Sequence, residues 1–374
     1  MSPLFRYFLL PHIEIQEQRK MLFWLLLWLS TGFASAADFD ENAPLNHYQW
    51  IGSHNSYKRA LPDSVYQLLS LKNTNKANQL NYAHLSLNEQ LSLGLRQLEI
   101  DVVNDPSGNQ YQQVELASRL NENWLSAHEV KQLAKPGFKV MHIPHVDVMT
   151  HCATLKVCLK QLNAWSASHP EHFPIVVMMN AKETQPDFLK SNKPVLFDEA
   201  AFASLDEAIR SGLPGRLVTP DDIRGNAKSL QSVITNNGWP SVKALRGKFI
   251  FLFDGNEKQL DRYTQGQNNL KGRSMFASFE PGHPSAAIMI RNNPINQQQD
   301  IRQLVESGYL VRTRADANLS ASNEQKALQR DAAFQSGAQL ISTDFYSQSP
   351  QAKRTQYSVH FEQGRLMRTN PINY

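Results

Sequence analysis

The sequence predicts an α/β fold, a single TIM-type (β/α)8 barrel, on three observations. Short apolar runs recur, as in Ile175-Val176-Val177-Met178-Met179 and Phe249-Ile250-Phe251-Leu252-Phe253. Such runs suit strands buried on both faces of a parallel sheet. Between many of them, apolar residues are spaced three and four apart, the period of a helix with one buried face. Finally, no glycine-rich dinucleotide or phosphate-loop fingerprint follows the first strand, which weakens the doubly wound alternative. A chain of 374 residues can hold one such barrel.

The elements follow in order. Residues 1–36 read as a signal peptide: Arg19-Lys20 precede the apolar stretch MLFWLLLWLS, and Ala34-Ser35-Ala36 supplies small residues for cleavage. The run is too short to span a bilayer, and the plainer alternative is an uncleaved N-terminal anchor. Residues 1–20 read as an upstream extension, with Met21 as the start. The barrel domain is then 37–374, and the expected location is secreted or periplasmic.

Strands are expected at 48–53, 96–103, 139–144, 174–180, 248–254, 275–279, 309–314 and 339–344. Helices are expected at 84–94, 155–167, 199–211, 298–307 and 322–336, with Gly94, Gly212, Gly308 and Gly337 at their C-terminal caps. Residues 105–135 are poorly patterned and read as an insertion or lid. The stretches 190–194 and 292–299 read as surface connections.

Composition narrows the function. The net charge of +4 is mild and permits only loose attraction to anionic surfaces. No Lys/Arg run carries interleaved aromatics, so nucleic acid is not an expected partner. Oligomeric state is not legible. Cys152 and Cys158 are the only cysteines. In an exported chain they are expected to form a disulfide, with two buried thiols as the alternative. Cys-x5-Cys alone is a poor zinc site.

Barrel active sites lie at the C-terminal ends of strands, and chemistry-bearing residues collect there. His54-Asn55 ends the first expected strand. Glu99 and Asp101, two apart, share one face of the second. Two inward carboxylates need a cation or an arginine, and Arg96 is the structural candidate. His142 ends the third strand, with His145 and Asp147 in the loop beyond. Asn180 and Lys182 share a face at the fourth. Arg312, Arg314 and Asp316 follow the seventh, as an anion pocket or a structural ion-pair cluster. Asp254 and Asp344 also end strands, where they orient substrate hydroxyls or bond loop amides. The oxygen set Asn55, Glu99, Asp101 and Asn180 suits a hard cation, and with two histidines it suits metal-assisted attack on a phosphodiester.

At GSHNSY, GLRQLEIDV, FKVMHIPHVD, PIVVMMNAKE, YLVRTRADA and GAQLISTDF the chain resembles the calcium-dependent bacterial phosphatidylinositol-specific phospholipases C. The resemblance runs from about residue 47 to 346. It implies a TIM-type barrel and Ca2+ as cofactor. It also implies cleavage of a phosphoinositide to diacylglycerol and a cyclic inositol phosphate, with transient membrane-surface contact. His54 and His142 match the family's histidines, His54 as a donor to the oxyanion and His142 as the acid for the leaving oxygen. Asn55, Glu99 and Asp101 match its calcium ligands, Glu99 also as a base. Asn180 stands where relatives of the eukaryotic type supply an acid. Lys182 and Arg314 match substrate contacts. The competing readings are a glycerophosphodiester phosphodiesterase, which carries Arg where this chain has Asn55, and a non-catalytic exported lipid- or glycan-binding barrel.

Overall fold

The computed structural model describes residues 39–265 and 269–372. The expected signal segment, 1–36, lies outside the described residues. Eleven strands occur among the described residues: β1 Tyr48–Ser53, β2 Gln97–Val103, β3 Lys139–Val140, β4 Ile175–Ala181, β5 Leu217–Val218, β6 Phe249–Phe253, β7 Met275–Ala277, β8 Ile288–Ile290, β9 Leu310–Arg314, β10 Leu340–Thr343 and β11 Met367–Thr369.

From β1 the sheet runs through β2, β4 and β6 on one side and β10, β9 and β8 on the other, all parallel. β5 pairs with the start of β6 and β7 with its end. A parallel bridge between Ser278 and Ile288 brings the two edges of the curl together. This curled parallel sheet is consistent with a TIM-like barrel. Helices Leu155–Ser168, Glu199–Gly212 and Asn323–Gln335 alternate with strands as expected, and helix Pro294–Glu306 starts earlier than expected, within the stretch 292–299 that was read as a surface connection.

Side-chain alternation sorts the sheet into two faces. Leu98, Ile100, Val177, Met179, Phe249 and Phe251 point outward and pack with Leu159, Leu162 and Leu205 of the covering helices. Trp50, Val176, Met178, Ile250, Leu252, Leu310 and Leu340 fill a separate inner cluster. The inner alternation then carries Glu99, Asp101, Asn180, Arg312 and Arg314 above this apolar plug, at the strands' C-terminal ends. β1 and β2 approach closely at Gly52, where a Cβ would lie 2.3 Å from Gln97 Oε1 and 2.4 Å from its carbonyl oxygen. Only glycine fits there.

Three expectations are corrected. The segment 139–144 is not a barrel strand: only Lys139–Val140 is extended, and it pairs antiparallel with the end of β2. β8, a three-residue strand one loop after β7, was not expected from the sequence and completes the set of parallel strands in place of 139–144. Gly212 is the last helical residue rather than a cap, which falls at Leu213. The poorly patterned region 105–135 is ordered. Its helices Glu115–Arg119 and Ala127–Leu133 bury Leu116, Ala117 and Leu133, and the second opens with a capping box of Ser126 and Glu129. Cys152 and Cys158 are joined by a disulfide at the start of helix Leu155–Ser168.

Candidate active site

The first histidine is held by a carboxylate from across the sheet. His54 follows β1, and its Nδ1 lies 3.2 Å from Asp344 Oδ1 just beyond β10. An ionised carboxylate only accepts, so Nδ1 carries the proton and Nε2 presents its lone pair. Nε2 lies 3.9 Å from Glu99 Oε1. Burial, then the charges of Arg314 and Arg312, pull His54 down to about 3 against the pull of Asp344. His54 is therefore neutral. Asp344 is held well below the usual carboxylate range: burial opposes this, but His54, His84 and Arg314 outweigh it. Arg314 donates to Asp344 Oδ2 at 3.1 Å.

The second histidine has its own carboxylate. The sequence His142-Ile143-Pro144-His145-Val146-Asp147 closes a tight turn, with Asp147 N–H donating to Ile143 O at 2.9 Å. The turn brings Asp147 Oδ2 to 2.9 Å from His142 Nδ1. Oδ2 also meets Lys58 Nζ at 3.3 Å, and both Lys58 and Asp147 are fully buried. His145, at the turn's positive φ of 62°, points away from the site. It is buried, stacks 5.2 Å from Tyr111, and accepts from the Glu115 N–H. Of the two histidines, His142 lies beside Tyr82 and His145 does not.

One tyrosine joins the two halves. The Tyr82 ring stacks on His54 at 5.6 Å and meets the His142 ring edge-on at 6.3 Å. Its hydroxyl accepts from Asn55 Nδ2 at 2.6 Å, and its carbonyl accepts from Lys58 Nζ at 2.9 Å. Lys58, Tyr82, His84 and Asp147 were not assigned roles from the sequence. Only Asp147, five residues from His142, left a local signal. Tyr82 and His84 reach the site just after helix Asp63–Leu80, an element not expected from the sequence.

The carboxylates of β2 lie beside these rings. Glu99 Oε2 accepts from Arg312 at 2.8 Å, and Oε1 lies 3.3 Å from Asn180 Nδ2. Burial raises Glu99 to about 7 despite Arg312. Asp101 Oδ2 accepts from Tyr57 Oη at 2.9 Å and Lys182 Nζ at 3.0 Å. Arg96 takes no part. It donates to the carbonyls of Leu91 and Leu95 and lies over Trp165, outside the barrel.

The four oxygen-bearing residues Asn55, Glu99, Asp101 and Asn180 thus sit around one region, linked through Tyr57, Tyr82 and Lys182. Among the described residues no group of three or more His, Cys, Asp or Glu is arranged for a metal. This set instead mixes two carboxylates with two amides. Asn55 Oδ1 and Asp101 Oδ1 are buried without a hydrogen-bond partner. Orphaned buried acceptors are costly unless something satisfies them, and an all-oxygen donor set fits calcium.

The family described as "Phosphoinositide phospholipase C, Ca2+-dependent" matches residues 43–371. The chain belongs to this family. Its fold is also that of solved family enzymes. A calcium-dependent phosphoinositol-specific phospholipase C from a Pseudomonas species is 16% identical, with a TM-score of 0.52 over 89% of this chain and 98% of that one. A Ca2+-dependent phosphatidylinositol-specific phospholipase C from Streptomyces antibioticus is 17% identical, with a TM-score of 0.52 over 81% and 95%. No curated protein matches by sequence. His54, Asn55, Glu99, Asp101, His142, Asn180, Lys182 and Arg314 lie near one end of the sheet.

Proposed function

We propose that the protein is an exported calcium-dependent phospholipase C that cleaves phosphatidylinositol to diacylglycerol and a cyclic inositol phosphate. The observation that carries this reading is the pair of carboxylate-held imidazoles, His54–Asp344 and His142–Asp147, around Tyr82 and beside the oxygen set. In this reading the domain is 37–374, a TIM-type barrel after a signal peptide. Among the described residues no helix is long and apolar enough to cross a membrane.

Asn55, Glu99, Asp101 and Asn180 would hold calcium, which when bound lowers the pKa of a substrate hydroxyl and offsets charge on phosphate. The inositol 2-hydroxyl attacks phosphorus, and its proton passes to His54 Nε2, the ring position that Asp344 leaves free. This revises the donor role expected from the sequence, since a neutral imidazole with Nδ1 protonated has no proton at Nε2 to give. An anionic phosphate beside Arg314 offsets the positive charge that depresses His54 and strengthens it as a base. The bond from phosphorus to the diacylglycerol oxygen breaks, and His142 protonates that oxygen through Nε2. Asp147 stabilises the imidazolium that donates it. Arg314 and Lys182 face the charge that develops on the phosphoryl oxygens.

The test uses purified protein with phosphatidylinositol vesicles, phosphatidylcholine vesicles and glycerophosphoinositol, each with calcium or chelator. Phosphorus NMR should show cyclic inositol phosphate from intact phosphatidylinositol with calcium only. Glycerol phosphate from the deacylated diester, with intact lipid untouched, would point to a glycerophosphodiesterase. No turnover of any diester would leave a binding barrel.

A further inference from the structure

A calcium site needs ligand oxygens held ready for the ion, and what aims them here is a question that rests on the calcium reading. Two buried carboxylates give the contrast. Asp101 and Asp206 are each met by one tyrosine hydroxyl and one cationic side chain, but their oxygens are used differently. At Asp206, Oδ1 accepts from Tyr263 Oη and from the Ser274 N–H, both at 2.9 Å, and Oδ2 accepts from Arg273 at 3.0 Å. Both oxygens are satisfied, as is usual for a buried acid. At Asp101, Tyr57 Oη at 2.9 Å and Lys182 Nζ at 3.0 Å both fall on Oδ2, and Oδ1 is buried without a partner. Among the described residues the only other carboxylate with such an oxygen is Asp147, which also serves the site.

The same division recurs at Asn55. Its Nδ2 donates to Tyr82 Oη at 2.6 Å, and its Oδ1 is buried without a partner. Both tyrosines are buried and fixed from behind. Asn55, at a φ of 45°, opens a turn that Lys58 N–H closes by donating to Asn55 O at 2.9 Å. Ser56 ties this turn to β2: its N–H donates to Glu99 O at 2.9 Å, and its Oγ accepts from the Glu99 N–H at 2.8 Å. Tyr57, the next residue, is thereby set against Asp101. Lys58 Nζ donates to Tyr82 O at 2.9 Å and lies 4.6 Å from the Tyr82 ring.

We propose that Tyr57 and Tyr82 are positioning residues for the cation. Each hydroxyl occupies one polar atom of Asp101 or Asn55, and so leaves Oδ1 of both turned toward the ion. Without Tyr57, the Asp101 carboxylate is free to rotate and give both oxygens to Lys182. Without Tyr82, the Asn55 amide is free to present its nitrogen where the ion needs oxygen. Neither tyrosine is itself a ligand, and partners of this kind are commonly worth 10- to 100-fold in metal affinity.

The test needs no substrate. Calcium is titrated by calorimetry, and melting is followed in chelator and in calcium, for wild type, Tyr57→Phe, Tyr82→Phe and Tyr263→Phe. Each change removes a hydroxyl and keeps the ring. Tyr57→Phe and Tyr82→Phe should each weaken calcium binding about tenfold or more. Each should also show a smaller calcium-induced rise in Tm above its own chelator baseline. Tyr263→Phe, which loses the matching bond to Asp206, should melt lower in chelator yet bind calcium within about twofold of wild type. Wild-type calcium affinity in Tyr57→Phe or Tyr82→Phe overturns the role of that tyrosine. An equal loss of affinity in Tyr263→Phe overturns the proposal, since general loosening then accounts for the effect. Wild type that takes up no calcium overturns the calcium reading itself, and the proposal with it.

Discussion

Asp147 joins stability to catalysis, and a double-mutant cycle with Lys58 separates the two. Its Oδ2 carries both contacts, 2.9 Å to His142 and 3.3 Å to Lys58, while Oδ1 is buried without a partner. Lys58 is pulled down by burial and held up by Asp147, the carboxylate in contact with it. Its other contacts are the carbonyls of Tyr82 at 2.9 Å and Arg59 at 3.3 Å, and the Tyr82 ring. Asp147→Asn therefore leaves a buried ammonium without its anion, at a cost of about 3–5 kcal/mol. Turnover should fall about 10²-fold or more, because His142 keeps an acceptor but loses the charge that stabilises its imidazolium.

Lys58→Met strands the carboxylate instead and should destabilise by a similar few kcal/mol. The double variant has no buried charge at this position, and methionine fills the lysine channel. Its stability should return to within about 1–2 kcal/mol of wild type, because well-packed apolar replacements of a buried pair are often neutral. Its turnover should stay as low as that of Asp147→Asn. Urea denaturation measures the first quantity and the rate of cyclic phosphate formation the second. If the double variant is as unstable as the two single losses added, the pair is not coupled. If Asp147→Asn turns over like wild type, Asp147 does not orient His142, and the assignment of the acid is wrong.

Other expectations follow from the same contacts. His142→Ala should lower turnover by about 10²-fold or more with little loss of stability. His145→Ala should do the reverse, since that ring packs on Tyr111 and bonds the Glu115 N–H; comparing rate and melting for the pair checks both. Burial pulls His172 from 6.5 to about 4, its Nδ1–H donating to Phe173 O at 2.7 Å and its Nε2 lying 2.8 Å from Ser166 Oγ. The folded protein binds that proton less tightly than the unfolded chain, so unfolding takes it up below about pH 6.5 and stability falls until about pH 4. The loss should be about 2 kcal/mol after solvent screening. The stability difference between wild type and His172→Gln should narrow by that amount between pH 7 and 4.5, and parallel pH profiles would refute the assignment.

Much of the site was legible because strand ends have a period of two. Glu99 and Asp101, Asn180 and Lys182, and Arg312 and Arg314 each reach the inner face by that rule, and the structure brings them together. The strand at 139–144 misled because Val140-Met141 is an apolar run like the others. Those two residues are buried, but the chain turns back at once to place Asp147 on His142. β8 was missed because it follows β7 without a helix between them, which breaks the alternation used to count strands. Arg312 was legible as a residue but not as the partner of Glu99. The two are 213 residues apart, and only closure of the sheet makes them neighbours. Tyr82 and Lys58 had no signature, since their roles rest on contacts that no local pattern encodes.

The charges around the site carry one more expectation. Five carboxylates, Glu99, Asp101, Asp254, Asp316 and Asp344, interact with three cations, Lys182, Arg312 and Arg314. Burial raises Glu99 to about 7 and Asp316 to about 6, and it raises Asp254 as well. Five carboxylates against three cations leave the pocket with more negative charge than its own arginines and lysine neutralise. A divalent cation held by Asn55, Glu99, Asp101 and Asn180 would supply the missing positive charge and the partners that Asn55 Oδ1 and Asp101 Oδ1 lack. Calcium should therefore stabilise the fold before any substrate is present. At a hundredfold excess over its dissociation constant, the linkage is about 2.7 kcal/mol, or a rise of several degrees in Tm. Magnesium should do less, because it holds its waters and demands a tighter octahedron than two amides and two carboxylates provide. Asp101→Asn should abolish the calcium-dependent rise while leaving a folded protein. Melting curves unmoved by millimolar calcium, alongside calcium-dependent turnover, would place the ion with the substrate rather than on these four residues.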